Sequence, residues 1–325
     1  MKTFKNLLLG LFLIVMSCQE QTKSKGANQN QKSVTQMNTS QTENYKRQEI
    51  IYGRTYGTAL TMEVFTPNKN ANGLGIVLFA SEGWYSDRDL VEKNIPIYID
   101  SFTAKGYTVF AVVHGSNPKF SLLENVEHAS RAVRFIRHNA LVFSIDPNKI
   151  GATGDSAGGH LSLLMGSADE NEHSVSEDPI DNESCKVQAV VAFFPPTDFL
   201  NWGENGNVMM GKHPKVPLIG AFTFYSSDTT TNAQKEITDK TKLLEIGRKL
   251  SPINSVNKST SPTLIVYGDK DSFIPTQQSD ILFQKLKDLG IPTYLIVEKG
   301  GEHDEVTIKH HISDATNWFD KYLKR

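Results

Sequence analysis

The stretch Gly154-Asp155-Ser156-Ala157-Gly158-Gly159-His160 constrains the fold of this chain more than any other. It follows Ile150-Gly151-Ala152-Thr153, which reads as an apolar strand, and opens Leu161-Ser162-Leu163-Leu164-Met165, which reads as an apolar helix. A serine with glycine two residues away on each side, between strand and helix, marks a turn tight enough to strain the serine backbone and expose its hydroxyl. The glycines are needed because a Cβ at either flank would meet the neighbouring strand or helix. A nucleophilic Ser156 at the end of a buried strand is therefore the first expectation.

The 325 residues, 38% of them hydrophobic, suffice for one sizeable domain around a single core. A formal net charge of -2 offers no basic face, so no nucleic-acid partner is expected. No histidines stand at metal-ligand spacing, so neither a metal nor another cofactor is expected. Residues 1–17 read as a signal peptide: Lys2 and Lys5 precede the apolar run Leu7 to Val15, which is too short to span a bilayer. Ser17-Cys18, with Val15 three positions before the cysteine, resembles the lipobox of bacterial lipoproteins. That resemblance implies an acylated Cys18 and a lipid anchor in the cell-envelope membrane; the plainer reading is a secretory signal with an incidental cysteine. With Cys18 lipidated, Cys185 has no intramolecular disulfide partner. Residues 18–48 are rich in Gln, Asn, Ser, Thr and Lys and read as a disordered tether, leaving 49–325 as the folded domain.

Within that domain, Gln48–Arg54 and Ala59–Phe65 read as a hairpin at one edge of a sheet. Gly75–Ala80 and Tyr107–Val113 are continuous apolar runs, as expected of strands covered on both faces. Helices are expected over 95–105 and 125–141. After the serine turn come strands at Val187–Phe194, Thr263–Gly268 and Thr293–Glu298, with helices at 278–289 and 308–322. The alternation predicts a mostly parallel eight-stranded sheet flanked by helices, with the serine after the fifth strand. Residues 202–249 break the alternation between the sixth and seventh strands. Their apolar residues, Met209, Met210, Leu218, Ile219, Phe222, Phe224 and Tyr225, predict a lid-like insertion over the serine.

A serine hydroxyl needs a histidine to take its proton and an acid to orient that histidine. In this strand order the chain sequence is serine, acid, histidine. His303 fits best, in the Gly-rich loop Lys299-Gly300-Gly301-Glu302-His303-Asp304 after the last strand. His160 reads as a helix-packing residue, His173 and His213 as solvated loop residues, and His310 and His311 as a helix surface. For the acid, Asp271 in Gly268-Asp269-Lys270-Asp271-Ser272 is expected, with Asp269 and Asp198 as rivals. Backbone N–H groups must also meet the developing negative charge: one from Ala157 and another from the loop Ala80-Ser81-Glu82-Gly83-Trp84-Tyr85.

The order of elements is that of the α/β-hydrolase fold, and the domain resembles the BD-FAE-type esterases, relatives of acetylxylan and feruloyl esterases and of the hormone-sensitive-lipase group. The resemblance is carried by Arg134-Phe135-Ile136-Arg137-His138, Ile145-Asp146-Pro147, the serine turn with Gly159-His160-Leu161, Phe194-Pro195-Pro196-Thr197-Asp198, Ser251-Pro252-Ile253, and Asp271 to Pro275 followed by Gln277-Gln278-Ser279. It implies a Ser156–His303–Asp271 triad acting on acyl esters, with acetylated or feruloylated carbohydrate as substrate. The family pattern His-Gly-Gly-Gly-Trp is replaced by Ala80-Ser81-Glu82-Gly83-Trp84. Gly83 and Glu82 remain as oxyanion donors through their N–H groups, and Trp84 as a substrate contact. A Glu82 side chain turned inward would oppose negative charge; turned outward it is inert or meets substrate. Two other functions fit the same turn: a prolyl-peptidase-like serine peptidase, whose large additional domain has no room here, and a ligand-binding protein without turnover.

Overall fold

The computed structural model describes residues 36–169, 176–210, 221–227, 230–231 and 234–325. In chain order the strands are β1 (Gln36–Gln41), β2 (Tyr45–Thr55), β3 (Thr58–Pro67), β4 (Gly75–Phe79), β5 (Thr108–Val113), β6 (Ile150–Asp155), β7 (Ala189–Phe193), β8 (Tyr225–Ser227), β9 (Gln234–Glu236), β10 (Thr263–Gly268) and β11 (Thr293–Glu298). The helices are α1 (Arg88–Asn94), α2 (Asp100–Ala104), α3 (Leu122–His138), α4 (Ala140–Phe143), α5 (Ala157–Ser167), α6 (Lys240–Leu250), α7 (Pro252–Ser255), α8 (Gln277–Asp288) and α9 (Glu305–Leu323). Nine strands form one sheet in the order β1-β2-β3-β5-β4-β6-β7-β10-β11. The three pairings from β1 to β5 are antiparallel and all the others are parallel.

Alternating side chains divide the core between the two faces of this sheet. Along β4, Val77 and Phe79 face a cluster shared with Val133 of α3, Leu161 of α5 and Leu282 of α8. Ile76 and Leu78 face the opposite cluster with Phe102 of α2 and Phe319 of α9. Burial on both faces is why β4, β5, β7 and β10 read as unbroken apolar runs.

Three expectations need correction. Residues 36–48 are not tether: β1 pairs with β2 and adds a ninth strand outside the hairpin. Its residues from Thr39 onward are exposed and polar and leave no hydrophobic pattern to read. Residues 1–35, with the signal peptide, Cys18 and the rest of the tether, lie outside the described residues. The helix expected from residue 95 begins at Arg88 and runs to Ala104 through a π-helical turn, Ile95–Ile99, with Pro96 near its start. That wide turn carries Ile97 and Tyr98 toward the serine, a common use of π geometry.

The insertion is the third. Its described part contains the small β8–β9 ladder and α6. Met209, Met210, Phe222 and Phe224 are buried against Trp84, Leu122, Ala157 and Phe199. None of its described residues lines the serine cleft, so this part backs the active-site loops rather than lidding them. Tyr225 is exposed, and Leu218 and Ile219 lie outside the described residues.

The serine turn is packed backbone against backbone. A Cβ on Gly154 would stand 2.7 Å from the Gly158 carbonyl carbon, and one on Gly158 would fall on the Phe79 carbonyl oxygen. Both obstacles are backbone, which cannot rotate away as a side chain can. Gly158→Ala is therefore expected to cost about 3 kcal/mol or more, read from the midpoint and slope of urea unfolding. A midpoint equal to that of the wild type would contradict this packing.

Candidate active site

Ser156 sits between β6 and α5 at φ 49°, ψ -115°, a left-handed φ that serine adopts only under constraint. The constraint is visible: its N–H donates to Phe193 O (2.9 Å), and its carbonyl accepts from His160 N (3.0 Å). The following residue, Ala157, is the first of α5, and helix geometry leaves its N–H without an intrahelical acceptor. A cavity of about 630 Å³ opens over the serine, with Ser81, Glu82, Gly83, Asp155, Phe194, Phe273 and His303 among its walls.

His303 arrives on the loop between β11 and α9. Its Nδ1 donates to Asp271 Oδ2 at 2.8 Å. Because a carboxylate only accepts, Nδ1 carries a proton, and in the neutral imidazole Nε2 is then the acceptor. The other Asp271 oxygen accepts from the N–H groups of Phe273 and Ile274, both at 2.8 Å, so this carboxylate is held on both oxygens and is almost wholly buried. Asp304 caps α9 and fixes where the His303 loop ends. The Ser156 hydroxyl and the His303 ring face the same cavity and are not hydrogen-bonded to each other; such contacts commonly tighten only with substrate.

The competing residues have other work. Asp269 accepts from Gly300 N at 2.7 Å and ties the two loops together. Asp198 accepts from Leu200 N and Asn201 Nδ2. His310 and His311 hold the carboxylate of Glu298, joining the end of β11 to α9. His173 and His213 lie outside the described residues. Among the described residues no cluster of His, Cys, Asp or Glu could hold a metal ion.

Two site expectations are overturned. The Glu82 N–H cannot serve an oxyanion, because it donates to Tyr85 O (2.9 Å) while Tyr85 N returns the bond to Glu82 O. The Glu82 carboxylate turns outward, 3.7 Å from Lys93 Nζ. Of the two donors expected from that loop this leaves Gly83, which lines the cavity at φ 55°. Trp84 is no substrate contact. It is 2% exposed, donates from Nε1 to His160 Nδ1 (3.2 Å) and packs edge-on against Phe199 and Phe222. His160 in turn donates from Nε2 to Leu250 O (2.7 Å), so the helix-packing residue also anchors the loop that holds Gly83.

Sequence reasoning missed Asp155, although it adjoins Ser156. Its carboxyl is pushed up to about 6, mainly by burial, against an opposing attraction to His303, and Tyr98 Oη approaches it at 3.4 Å. It also missed His114 and His128, which sit at a strand end and on a helix face with no local signal of burial.

A model of the BD-FAE family matches residues 62–286. This chain belongs to the BD-FAE family. It is 25% identical over 198 residues to "Esterase LipQ" of Mycobacterium tuberculosis, covering 61% of this chain and 42% of that one. It is 24% identical over 234 residues to the same organism's "Probable carboxylic ester hydrolase LipM", covering 71% and 49%. The BD-FAE chain thus spans about half the length, or less, of these curated relatives. Among solved structures, a truncated carbohydrate esterase from gut microbiota matches with a TM-score of 0.64 at 24% identity, covering 81% of this chain and 91% of that one. The butyrate-bound esterase Est2 of Thermogutta terrifontis matches with a TM-score of 0.63 at 18% identity, covering 83% and 92%. The fold is the α/β-hydrolase fold.

The buried imidazoles of this BD-FAE domain make its expected stability depend on pH. Burial lowers His114, His128 and His160 each from 6.5 to about 4. Between those values the unfolded chain binds the extra protons, so stability is present above pH 6.5 and lost as pH falls toward 4. Asp155 runs the other way: raised from 3.8 to about 6, it contributes stability that is lost as pH rises through that window. Three histidines outweigh one carboxyl, so the urea midpoint is expected to fall steadily between pH 6.5 and 4. Asp155→Asn should steepen that fall, and a flat pH profile would refute the assignment.

Proposed function

We propose that this protein is a serine carboxyl-ester hydrolase. The observation that carries the proposal is His303, its Nδ1–H committed to a buried Asp271 and its basic Nε2 left to a cavity that also holds the strained Ser156. In the proposed reaction the Ser156 Oγ attacks the acyl carbon while His303 Nε2 takes its proton, and Asp271 stabilises the imidazolium that forms. The N–H groups of Ala157 and Gly83 receive the oxyanion. His303 then protonates the departing alcohol, and a water deprotonated by the same nitrogen releases the acid from Ser156.

Acylated carbohydrate is the substrate class we favour. The names of similar proteins support it, among them the carbohydrate esterase already described and an acetyl ester-xyloside bifunctional hydrolase of Caldicellulosiruptor lactoaceticus (TM-score 0.64, 21% identity, 84% and 95% covered). The apolar wall of the cavity, Ile97, Phe194, Phe273 and Ile308, suits an acyl group. Rates across acetyl, butyryl and feruloyl esters measure its length.

Ser156→Ala is expected to lower hydrolysis of an aryl acetate about 10^4-fold or more, and Asp271→Asn about 10^3-fold or more, in protein whose circular dichroism is unchanged. A fluorophosphonate probe should label Ser156 in the wild type. Folded protein that resists the probe would instead be a ligand binder. We also propose that Cys18 carries the lipid anchor read from the lipobox; a palmitate label lost in Cys18→Ala tests it, and retention of label in that variant refutes it.

A further inference from the structure

The loop from Ala80 to Ser86 departs from the family pattern by one histidine and two glycines, and the structure shows what holds it. Its far end is stitched to the loop after β5: Ser86 N donates to Ser116 Oγ and Ser116 Oγ to Ser86 O, both at 2.8 Å. Ser86 Oγ donates back to Ala80 O (2.6 Å), and the Glu82–Tyr85 bridge closes the turn. Trp84 is pinned from behind by His160. On the cleft side one tie is made by a cavity-lining side chain. Ser81, 4% exposed, bonds through Oγ to His114 Nε2 at 2.8 Å.

The protons in that tie are fixed by its partners. His114 Nδ1 lies 2.6 Å from Gly115 O, which can only accept, so Nδ1 carries the hydrogen. Nε2 is then bare and must accept from the Ser81 hydroxyl. Burial holds the ring neutral down to about pH 4, so the arrangement persists throughout the range in which an esterase works. Gly115 is itself fixed, its N–H donating to His128 Nδ1 at 3.2 Å. A chain of bonds thus runs from α3 through His128, Gly115 and His114 to Ser81, two residues before Gly83.

We propose that Ser81 and His114 are the positioning pair of the oxyanion loop: the imidazole delivered by β5 fixes Ser81, and Ser81 aims the Gly83 N–H at the developing charge. The pair deepens the esterase reading and rests on it for its effect on rate. The Ser81 hydrogen is committed to His114, so the hydroxyl does not itself donate to the oxyanion. Its contribution is geometric. A backbone donor in a loop stripped of two glycines has fewer conformations to choose from, and the tie selects one.

The test is a double-mutant cycle on Ser81→Ala and His114→Leu, with His114→Gln as the conservative variant that keeps an acceptor toward Ser81. Either single change is expected to lower kcat on an aryl acetate about 10- to 100-fold with KM within about threefold, the size of effect expected for a misaimed group. Because the two residues act as one unit, the double variant should be no worse than the worse single. His114→Gln should recover most of the rate lost in His114→Leu. Amide hydrogen exchange across residues 80–86 supplies a readout independent of turnover, and it should quicken in Ser81→Ala and His114→Leu. Additive losses in kcat, losses carried by KM, or exchange at wild-type rates in both variants would each overturn the pairing. A failure of the esterase reading looks different: the wild type neither turns over esters nor takes the fluorophosphonate, while the exchange result still decides whether the pair holds the loop.

Discussion

Three backbone segments meet at Ser156, and the rest of the site depends on their contact. Gly158 of α5 lies against the carbonyl of Phe79, and Gly154 of β6 lies against Gly158. The serine N–H is taken by Phe193 of β7. Because β4 and β7 are the two neighbours of β6, the turn is registered against both sides of the sheet at once. A serine held at positive φ stores of order 1–3 kcal/mol, which is retained only where surrounding structure over-determines it. Here α5 is buried along its entire length, so the helix cannot move to relax the turn.

From that fixed point the remaining parts are reached through the sheet order. β10 adjoins β7 and brings Asp271; β11 adjoins β10 and brings His303. On the other side β4 leads directly into the loop that carries Gly83. The site is therefore assembled from the carboxyl ends of five adjacent strands, β4, β6, β7, β10 and β11. Its rim is charged, with Glu82, Lys93, Asp304 and Glu305 lining the cavity, while His114 and His160 are buried neutral behind it and Asp155 adjoins Ser156. In the proposed reaction, N–H dipoles held in place at Ala157 and Gly83 need no reorganisation as charge develops.

What the sequence made legible was local or ordered along the chain. The turn at Ser156 is written in seven consecutive residues, and Asp271 and His303 each follow a strong apolar strand in a short polar loop. The parts that escaped depend on partners far away in sequence. β1 offers no alternating apolar pattern to announce it, and its backbone ladder pairs it with β2. Glu82 and Trp84 stand where the family pattern has working residues. Yet a two-residue turn back to Tyr85 occupies the Glu82 N–H, and Trp84 faces His160, 76 positions away. His114 ends an apolar strand with no helix or loop signature of function, and its partner Ser81 comes from a different strand end.

Trp84 explains why an insertion whose described residues do not line the cleft still matters to it. The indole is the meeting point of His160 from α5, Phe199 from the segment after β7, and Phe222 from the insertion. Its backbone neighbour is Gly83, and its own carbonyl accepts from Asn125 of α3 (3.1 Å). The loop from Ala80 to Ser86 is thus gripped twice, by apolar packing behind Trp84 and by the Ser81–His114 hydrogen bond. Packing alone resists compression but permits sliding, whereas a hydrogen bond with fixed proton positions is directional. A loop that has exchanged glycines for Ser81 and Glu82 needs both kinds of restraint, because its backbone can no longer adapt freely around a substrate and must be correct beforehand.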